Sequence, residues 1–577
     1  MPVHNEDIAK IFEEMADLLE IEDANPFRVR AYRNAARTVR GLGQELREML
    51  DSGEDLTRLP GIGRDLAGKI DEILSTGHAR ALDTLHREVP ASLEGLLAIP
   101  GLGPKRVKAL YQNLHISNPQ QLADAARHGR LQKLPGFGAK IEQQILDAIA
   151  AHRSTEKRFL YHVAQQYAEP LLAYLKVVPG VKQVVLAGSY RRAKETVGDL
   201  DILVTAESDS PVMSRFAEYD EVQEIAAKGT TRASVFLRCG LQVDLRVVDE
   251  KSFGAALHYF TGSKAHNIQI RRMGQQRGIK LNEYGVFNLK QGDRINGDTE
   301  ASVFKAVGLP FIPPELRQGQ GEIEAAQAGL LPRLIGVDDL QGDLHVHSKD
   351  SDGNASIEEM ALAAKQRGLK YIAITDHSAS LTVAHGLDEK RLARQIETID
   401  SLNKRIDGIT ILKGSEVDIL EDGRLDFSDE ILSRLDLVIG AVHSHFHLSR
   451  NQQTSRILRA MESKYFTILA HPSARLLEER EAMDVDMPRI IKAAQQRGCF
   501  IELNSQPRRL DLIDRYCRLA KQEGVLISIN SDGHNPGNFD HLAGGINQAR
   551  RGWLEKGDVL NTRSLPRLRK LLKATMG

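Results

Sequence analysis

Apolar side chains recur through the first 150 residues at the spacing of one helix face. Ile8, Ile11, Phe12, Met15, Leu18 and Leu19 fit a 3.6-residue period, and no long β-branched run interrupts the region. Residues 1–150 are therefore expected to be helical. The pattern changes in the second half. Short apolar runs at 342–346, 371–375, 410–417, 436–442, 466–470, 499–503 and 525–530 alternate with amphipathic stretches, which predicts seven strands separated by helices. That alternation points to parallel strands with helical crossovers, in an open sheet or a closed barrel. Between the halves, Pro310-Phe-Ile-Pro-Pro314 leads into a stretch rich in Gly, Gln and Ala, then Pro332 and Asp338-Asp339. The expected break in the chain falls there, between Pro310 and Leu340, as a linker that can wrap on a neighbouring domain.

One repeat punctuates the helical region. Leu59-Pro-Gly-Ile-Gly63, Ile99-Pro-Gly-Leu-Gly103 and Leu134-Pro-Gly-Phe-Gly138 each precede a helical segment, at 64–74, 104–114 and 139–151. Gly61 and Gly63, Gly101 and Gly103, and Gly136 and Gly138 thus place bare backbone N–H groups at the positive end of a helix, where a phosphate can approach. The arrangement resembles the helix-hairpin-helix element, which holds nucleic-acid backbone without reading bases. Gly-x-Gly also serves as an ordinary turn, but three copies lie in or beside a basic stretch: residues 101–200 carry 15 basic against 7 acidic side chains.

Composition adds limits. A chain of 577 residues and 64.0 kDa exceeds what one core serves and suggests roughly three or four domains. Its 41% hydrophobic and 27% charged residues are those of a globular chain, which excludes collagen-like and disordered classes. The 77 Lys+Arg nearly cancel the 78 Asp+Glu, so only local excesses bear on partners; a second one, 8 basic against 4 acidic, lies in 251–300. Cys239, Cys499 and Cys517 have neither disulfide-scaffold density nor zinc-ribbon spacing, which suits a reducing compartment. No apolar run approaches the ~20 residues of a spanning helix, and the N-terminus has no signal-peptide core. A cytoplasmic protein without membrane contact is expected.

Residues 184–204 carry the first candidate chemistry: Val-Val-Leu-Ala-Gly-Ser-Tyr-Arg-Arg, a short connection, then Gly-Asp-Leu-Asp-Ile-Leu-Val. Asp199 and Asp201 are two apart on a predicted strand, so both carboxylates project from one face. Asp244 lies in another strand-like run, Val243-Asp-Leu-Arg-Val-Val248. Three converging carboxylates suit two magnesium or manganese ions about 3.5–4 Å apart, as nucleotidyl transfer requires. Gly188 and Ser189 offer N–H groups and a hydroxyl to a triphosphate, and Arg192 offers charge.

With these residues the chain, from about residue 1 to 315, resembles the family X DNA polymerases, of which polymerase beta is the best-known type. The resemblance implies a nucleotide pocket at Tyr259-Phe-Thr-Gly-Ser263, with Tyr259 and Phe260 against the sugar and Gly262 beside them. It sets Asn267 and Arg271 along the minor-groove side of the new base pair and Glu283-Tyr284 in a closing thumb. Gln242 stands where polymerase beta has an arginine two residues before its third aspartate, which implies weaker electrostatics at the primer hydroxyl and slower turnover. In the first eighty residues Arg28 and Tyr32 fall where the family holds a downstream 5′-phosphate, and Lys69 aligns with its Schiff-base lysine. Asp65 and Gly68 depart from that motif, so Lys69 is read as either a lyase nucleophile or a helix lysine touching phosphate.

The second half places coordinating side chains at the ends of its predicted strands: Asp343-Leu-His-Val-His347, Asp376-His377, Gly414-Ser-Glu416, Val442-His443, Ala470-His471 and Ser531-Asp-Gly-His534. Carboxyl ends of parallel strands share one face, so these residues are expected to meet in one cleft. From about 339 to 577 the chain resembles the polymerase and histidinol phosphatase (PHP) domain, which implies a distorted barrel of seven βα units that hydrolyses phosphoesters. The nine ligands carried over are His345, His347, Asp352, His377, Glu416, His443, His471, Asp532 and His534. They divide into His345, His347, Glu416 and Asp532 for one ion, Glu416, His443 and His471 for a second, and Asp352, His377 and His534 for a third. Mixed imidazole and carboxylate ligation suits manganese, zinc or iron better than magnesium or calcium. His445 and His447 are read as phosphate contacts or as solvated loop residues, and Arg508 and Arg509 as a DNA grip or a solvated pair.

The expected organisation is multidomain, α+β and α/β. Residues 1–85 form a small helical domain, 86–155 a second one with two helix-hairpin-helix motifs, 156–250 a palm, 251–315 a thumb, 316–338 a linker and 339–577 the PHP barrel. The expected activity is that of a monomeric repair polymerase taking deoxynucleoside triphosphates and gapped or nicked DNA. The PHP site, with manganese or zinc, is expected to act as a 3′-5′ exonuclease and to cut abasic sites. Two rivals are a DNA-binding scaffold carrying a histidinol-phosphatase-like enzyme and a non-catalytic gap- or end-binding protein.

Overall fold

The computed structural model describes residues 3–576, apart from 4, 23, 41, 43–44, 89–92, 94–95, 97–101, 115, 118, 135–136, 139–141, 143–144 and 146–157. There are two compact units, one within residues 1–157 and one within 158–577. In the first, helix Asn5–Ile21 lies against helix Pro26–Arg40. Ile8, Phe12, Met15, Leu18 and Leu19 are buried and Ile11 half-buried, so the periodic apolar face is the one that packs. Helices Arg64–Thr76 and Pro104–Leu114 begin where two of the glycine repeats end. Gly63 caps the first with extended backbone, and Pro104 opens the second, where its missing N–H is no loss. The helix expected over 139–151 lies almost wholly outside the described residues, as do Gly101 and Gly136.

The expected break between Pro310 and Leu340 does not divide compact units. Arg317 is fully buried, donates Nε–H to the Ile312 carbonyl at 2.8 Å and pairs with Glu300 at 2.7 Å. A charge can be buried this deeply only when it is paired, and Glu300 also takes both Nη groups of Arg191. Leu316, Ile323 and Ala326 share one apolar core with Phe304 and with Trp553 from the far end of the chain. The segment is thus a packed part of the second unit.

A five-stranded sheet carries the aspartates, in the order Val181–Leu186, Asp199–Ala206, Gln242–Val247, Arg232–Leu237, Val222–Lys228. Neighbours are antiparallel except Asp199–Ala206 and Gln242–Val247, which run parallel with Asp201 opposite Asp244. Helix Phe253–Thr261 follows, then helix Lys264–Gln276 and the antiparallel strands Ile279–Asn282, Gly285–Asn288 and Arg294–Asn296.

Seven parallel strands follow in sequence order: Gly342–Val346, Tyr371–Ile374, Thr410–Asp418, Leu437–Ala441, Ile468–Leu469, Phe500–Asn504 and Ile527–Asn530. Val346 bridges Gly533, and the His347 N–H donates to the Gly533 carbonyl at 2.8 Å, so first and last strands meet and the sheet nearly closes. The closing helix, Leu565–Thr575, packs Leu568 and Leu572 among Leu344, Tyr371, Leu412, Leu437 and Phe500.

Candidate active sites

The parallel pairing of two strands assembles the first site. Carboxylate oxygens of Asp199, Asp201 and Asp244 lie within 4.8 Å of one another. Burial, with Asp199 and Asp244 beside it, pushes Asp201 up to about 7. Like charges crowded in this way are relieved by a cation. Asp244 is oriented by the Ser234 hydroxyl and by Gln242 Nε2 at 3.1 Å. Arg232, from the adjacent strand, stands 3.9 Å from Asp244. A cation therefore stands near this carboxylate although Gln242 holds the place where polymerase beta has an arginine.

Asp199 and Asp201 border a cleft of about 430 Å³ that also takes in Gly188, Ser189, Arg192, Tyr259, Phe260, Gly262, Asn267 and Arg271, so the residues named from sequence share one wall. Arg158, Lys194 and Lys264 line it too, and sequence reading passed over them. Ser189 Oγ is buried with no hydrogen-bond partner, a hydroxyl left for a ligand. Gly188 has φ +61°, and a Cβ there would run into the Asp201 carboxylate. Only glycine lets this turn come so close to the aspartates. Arg192 donates to the Thr261 carbonyl; burial and Arg551 bring its guanidinium down to about 10. Asn267 donates to the Tyr259 carbonyl at 2.7 Å and Arg271 lies over the Tyr259 ring at 5.6 Å, so in this conformation both brace the pocket. Tyr284, expected in the thumb, is exposed on the hairpin after helix Lys264–Gln276.

In the N-terminal unit Gly63, Gly103 and Gly138 each face open space, with nothing within 4 Å of a Cβ built on them. Gly61 has φ +69° and lies against Asn34. Arg28 is exposed, whereas Tyr32 falls on the inward face of its helix, 3% exposed and edge-on to Phe12. Lys69 Nζ is hydrogen-bonded to Asp65 one turn earlier.

The nine second-half residues converge on the carboxyl ends of the barrel strands, around Glu416. His471 Nε2 is 2.8 Å, His377 Nδ1 2.9 Å, His443 Nε2 3.2 Å and His345 Nε2 3.3 Å from its carboxylate. His345, His347 and Asp532 form one group of ligand atoms and His377, Glu416 and His443 a second. His347, Asp352, His377 and His534 form the third, so His347 and His377 each serve two groups where one was expected. His345 Nε2 and both ring nitrogens of His347 are buried with no hydrogen-bond partner, which fits cation ligation. Burial opposes charge on Glu416 and Asp532, yet the surrounding imidazoles hold both well below the usual carboxylate range. Burial, His534 and His377 bring His347 down to about 4, whereas Asp352 outweighs burial to raise His534 to about 9. His471 and Asp532 have φ of +25° and +51°, left-handed backbone that non-glycine residues adopt at a cost and that clusters at functional sites.

Family models match most of the chain: a helix-hairpin-helix domain at 3–79, a SAM-like helix-hairpin-helix tandem at 93–151, a DNA polymerase beta palm at 163–267, a DNA polymerase beta thumb at 256–318 and a PHP domain at 343–532. The DNA polymerase/3′-5′ exonuclease PolX of Bacillus subtilis (strain 168) is 37% identical over 573 residues, 99% of this chain and 100% of that protein. The chain belongs to the PolX family. DNA polymerase lambda of Rattus norvegicus is 28% identical over 46% of this chain and 49% of its own length. A probable phosphatase of Caldanaerobacter subterraneus subsp. tengcongensis is 31% identical over 34% of this chain and 79% of its own length. Among the described residues of this PolX-family chain, no helix is long and apolar enough to cross a membrane.

Sequence reading missed the residues that aim the ligands. Glu502 accepts from His345 Nδ1 at 2.7 Å and from the His471 N–H at 2.8 Å, and Asp418 sits 2.7 Å from His443 Nδ1. Such partners fix the tautomer and leave Nε2 for an ion. Both acids stand on barrel strands, Glu502 within Phe500–Asn504 and Asp418 at the end of Thr410–Asp418, one residue past the predicted run 410–417, and an acid at a strand end was the available signal. Arg508 pairs with Glu479, and Arg509 is largely buried with Nε 3.6 Å from Asp532, so neither is a solvated arginine. His445 and His447 are exposed beside the ligand loop.

Proposed function

We propose that the chain is a DNA-directed DNA polymerase that fills short gaps during repair and trims 3′ ends at its PHP site. The observation that carries the reading is the presence of two separate ligand clusters, a carboxylate triad on the palm sheet and an imidazole-rich ring at the barrel mouth. Asp199, Asp201 and Asp244 hold magnesium or manganese, and the nine barrel residues, eight of them in three groups of ligand atoms and His471 against Glu416, hold up to three ions of manganese or zinc. Bound at these places, such ions activate the attacking oxygen and neutralise charge on phosphate.

The chain's own residues do the rest. Ser189 Oγ, the N–H groups of the Gly188 turn and Arg192 receive the triphosphate, while Tyr259 and Phe260 pack the sugar. Asn267 and Arg271 face the new base pair when nucleotide and template replace their internal contacts. At the barrel, Glu502 and Asp418 accept the Nδ1 protons of His345 and His443 and keep each ring turned inward. The open glycines at 63, 103 and 138 hold DNA backbone. Gapped or nicked duplex and deoxynucleoside triphosphates are the substrates, and the protein works as a monomer in the cytoplasm.

Purified protein on a labelled gapped duplex tests this. Primer extension is expected with deoxynucleotides and magnesium or manganese, and shortening from the 3′ end without nucleotides; no extension under either metal overturns the polymerase reading. The likeness to a probable phosphatase favours a second reading of the barrel, as a small-phosphomonoester hydrolase. Phosphate release from histidinol phosphate without degradation of DNA would select it.

A further inference from the structure

The segment from Gly188 to Asp199 joins the two halves of the polymerase cleft, with Ser189 and Arg192 at its start and the first triad aspartate at its end. The Asp199 end is fixed by strand pairing with Gln242–Val247. The Ser189–Arg192 end is a short helical turn, tied within the polymerase half by Arg191 to Glu300 and by Arg192 to the Thr261 carbonyl, and the PHP barrel adds a second set of contacts. Glu195 lies between, and Arg475 grips both of its carboxylate oxygens, at 2.8 and 3.2 Å. Gln548 Nε2 donates to the same carboxylate at 2.6 Å. Three residues further along helix Leu542–Arg551, on the same face, Arg551 donates to the Arg192 carbonyl at 3.4 Å.

Arg475 is itself fixed. Its Nε–H donates to the Arg509 carbonyl at 2.7 Å and an Nη to that of Leu510, and its side chain is 12% exposed. A bidentate pair with this little solvent is strong and directional, and removing one partner leaves the other charge uncompensated. Neither Glu195 nor Arg475 lines the cleft, so the pair acts through the turn it holds.

We propose that Arg475, assisted by Gln548, is a positioning residue for nucleotide addition: the PHP barrel holds the phosphate-binding turn of the palm, and capture of the incoming triphosphate depends on a side chain outside the polymerase half. The proposal rests on the polymerase reading of the cleft. Because the triad is held by the sheet alone whereas the turn also leans on the barrel, loosening the pair weakens nucleotide binding and spares the chemical step.

The test is steady-state insertion of one nucleotide into a gapped duplex by the full chain. Arg475→Ala and Glu195→Gln are each expected to raise the dNTP KM about tenfold with kcat within about twofold of wild type. Arg475→Lys, which keeps charge but loses the fork, is expected to fall between. The double variant is expected to be no worse than either single one, since both remove the same pair. Unchanged KM in both single variants, or a loss confined to kcat, overturns the proposal. Should Arg475→Ala fail to fold, Glu195→Gln decides from the palm side. Failure of the wild-type chain to insert any nucleotide would instead overturn the polymerase reading.

Discussion

Replacing Gly188 by alanine tests the polymerase site at its tightest point. The residue sits at φ +61°, where a side chain costs about 1–2 kcal/mol, and the added methyl would overlap the Asp201 carboxylate. The backbone cannot simply move away, because the Ala187 N–H donates to the Asp201 carbonyl at 2.8 Å within paired strands. The carboxylate must therefore turn from the position in which it meets Asp199 and Asp244. A displacement of ~1 Å in a reacting constellation costs roughly a hundredfold in rate. Single-nucleotide insertion by Gly188→Ala is accordingly expected to fall about a hundredfold, while degradation of single-stranded DNA from the 3′ end, carried out at the barrel, stays at the wild-type rate. Insertion within about threefold of wild type would refute the view that this close approach shapes the site.

Glu502→Gln is expected to lower 3′-5′ degradation about 10- to 100-fold and reduce bound manganese measured by atomic emission, with insertion unchanged, since a neutral amide can no longer accept from both His345 Nδ1 and the His471 N–H. With Asp201 raised to about 7, a cation entering the triad below that pH must displace a proton. The manganese concentration giving half-maximal insertion is therefore expected to rise as pH falls below 7, by up to about tenfold per unit, and to level off above it; no change between pH 6 and 8 would contradict the shift. Lys69 engages its Nζ with Asp65, whereas a Schiff-base amine must be free and uncharged. Borohydride trapping on abasic DNA is expected to be the same for wild type and Lys69→Ala, and an adduct lost in the variant would restore the lyase reading.

Much of this architecture was legible because its signals are local. A short apolar run ending in Asp-Leu-His-Val-His or in Ala-His states both a strand and which of its ends bears the chemistry, so the seven parallel strands and their shared chemical end follow from period and position, while closure into a barrel and the set of nine candidate ligands came from the resemblance to the PHP domain. The aspartates at 199 and 201 gave their shared face by spacing. What escaped depends on contacts between distant segments. Tyr32 sits within a motif that suggests exposure, yet the pitch of its helix turns it against Phe12. Residues 310–340 have linker composition, but a buried Arg317–Glu300–Arg191 network binds them into the second unit, and charged residues in a polar stretch give no local sign of that. Arg232 comes within 3.9 Å of Asp244 only because antiparallel pairing sets its strand alongside, with Ser234 opposite Asp244.

The central claim is that two distinct ligand clusters carry out opposite reactions on one polymer. A single end-labelled gapped duplex, incubated with the Asp199→Ala/Asp201→Ala double variant and separately with His345→Ala, tests it most directly. The first protein is expected to shorten the primer and never lengthen it, and the second to lengthen it and never shorten it. One of these folded variants losing both activities would contradict the account.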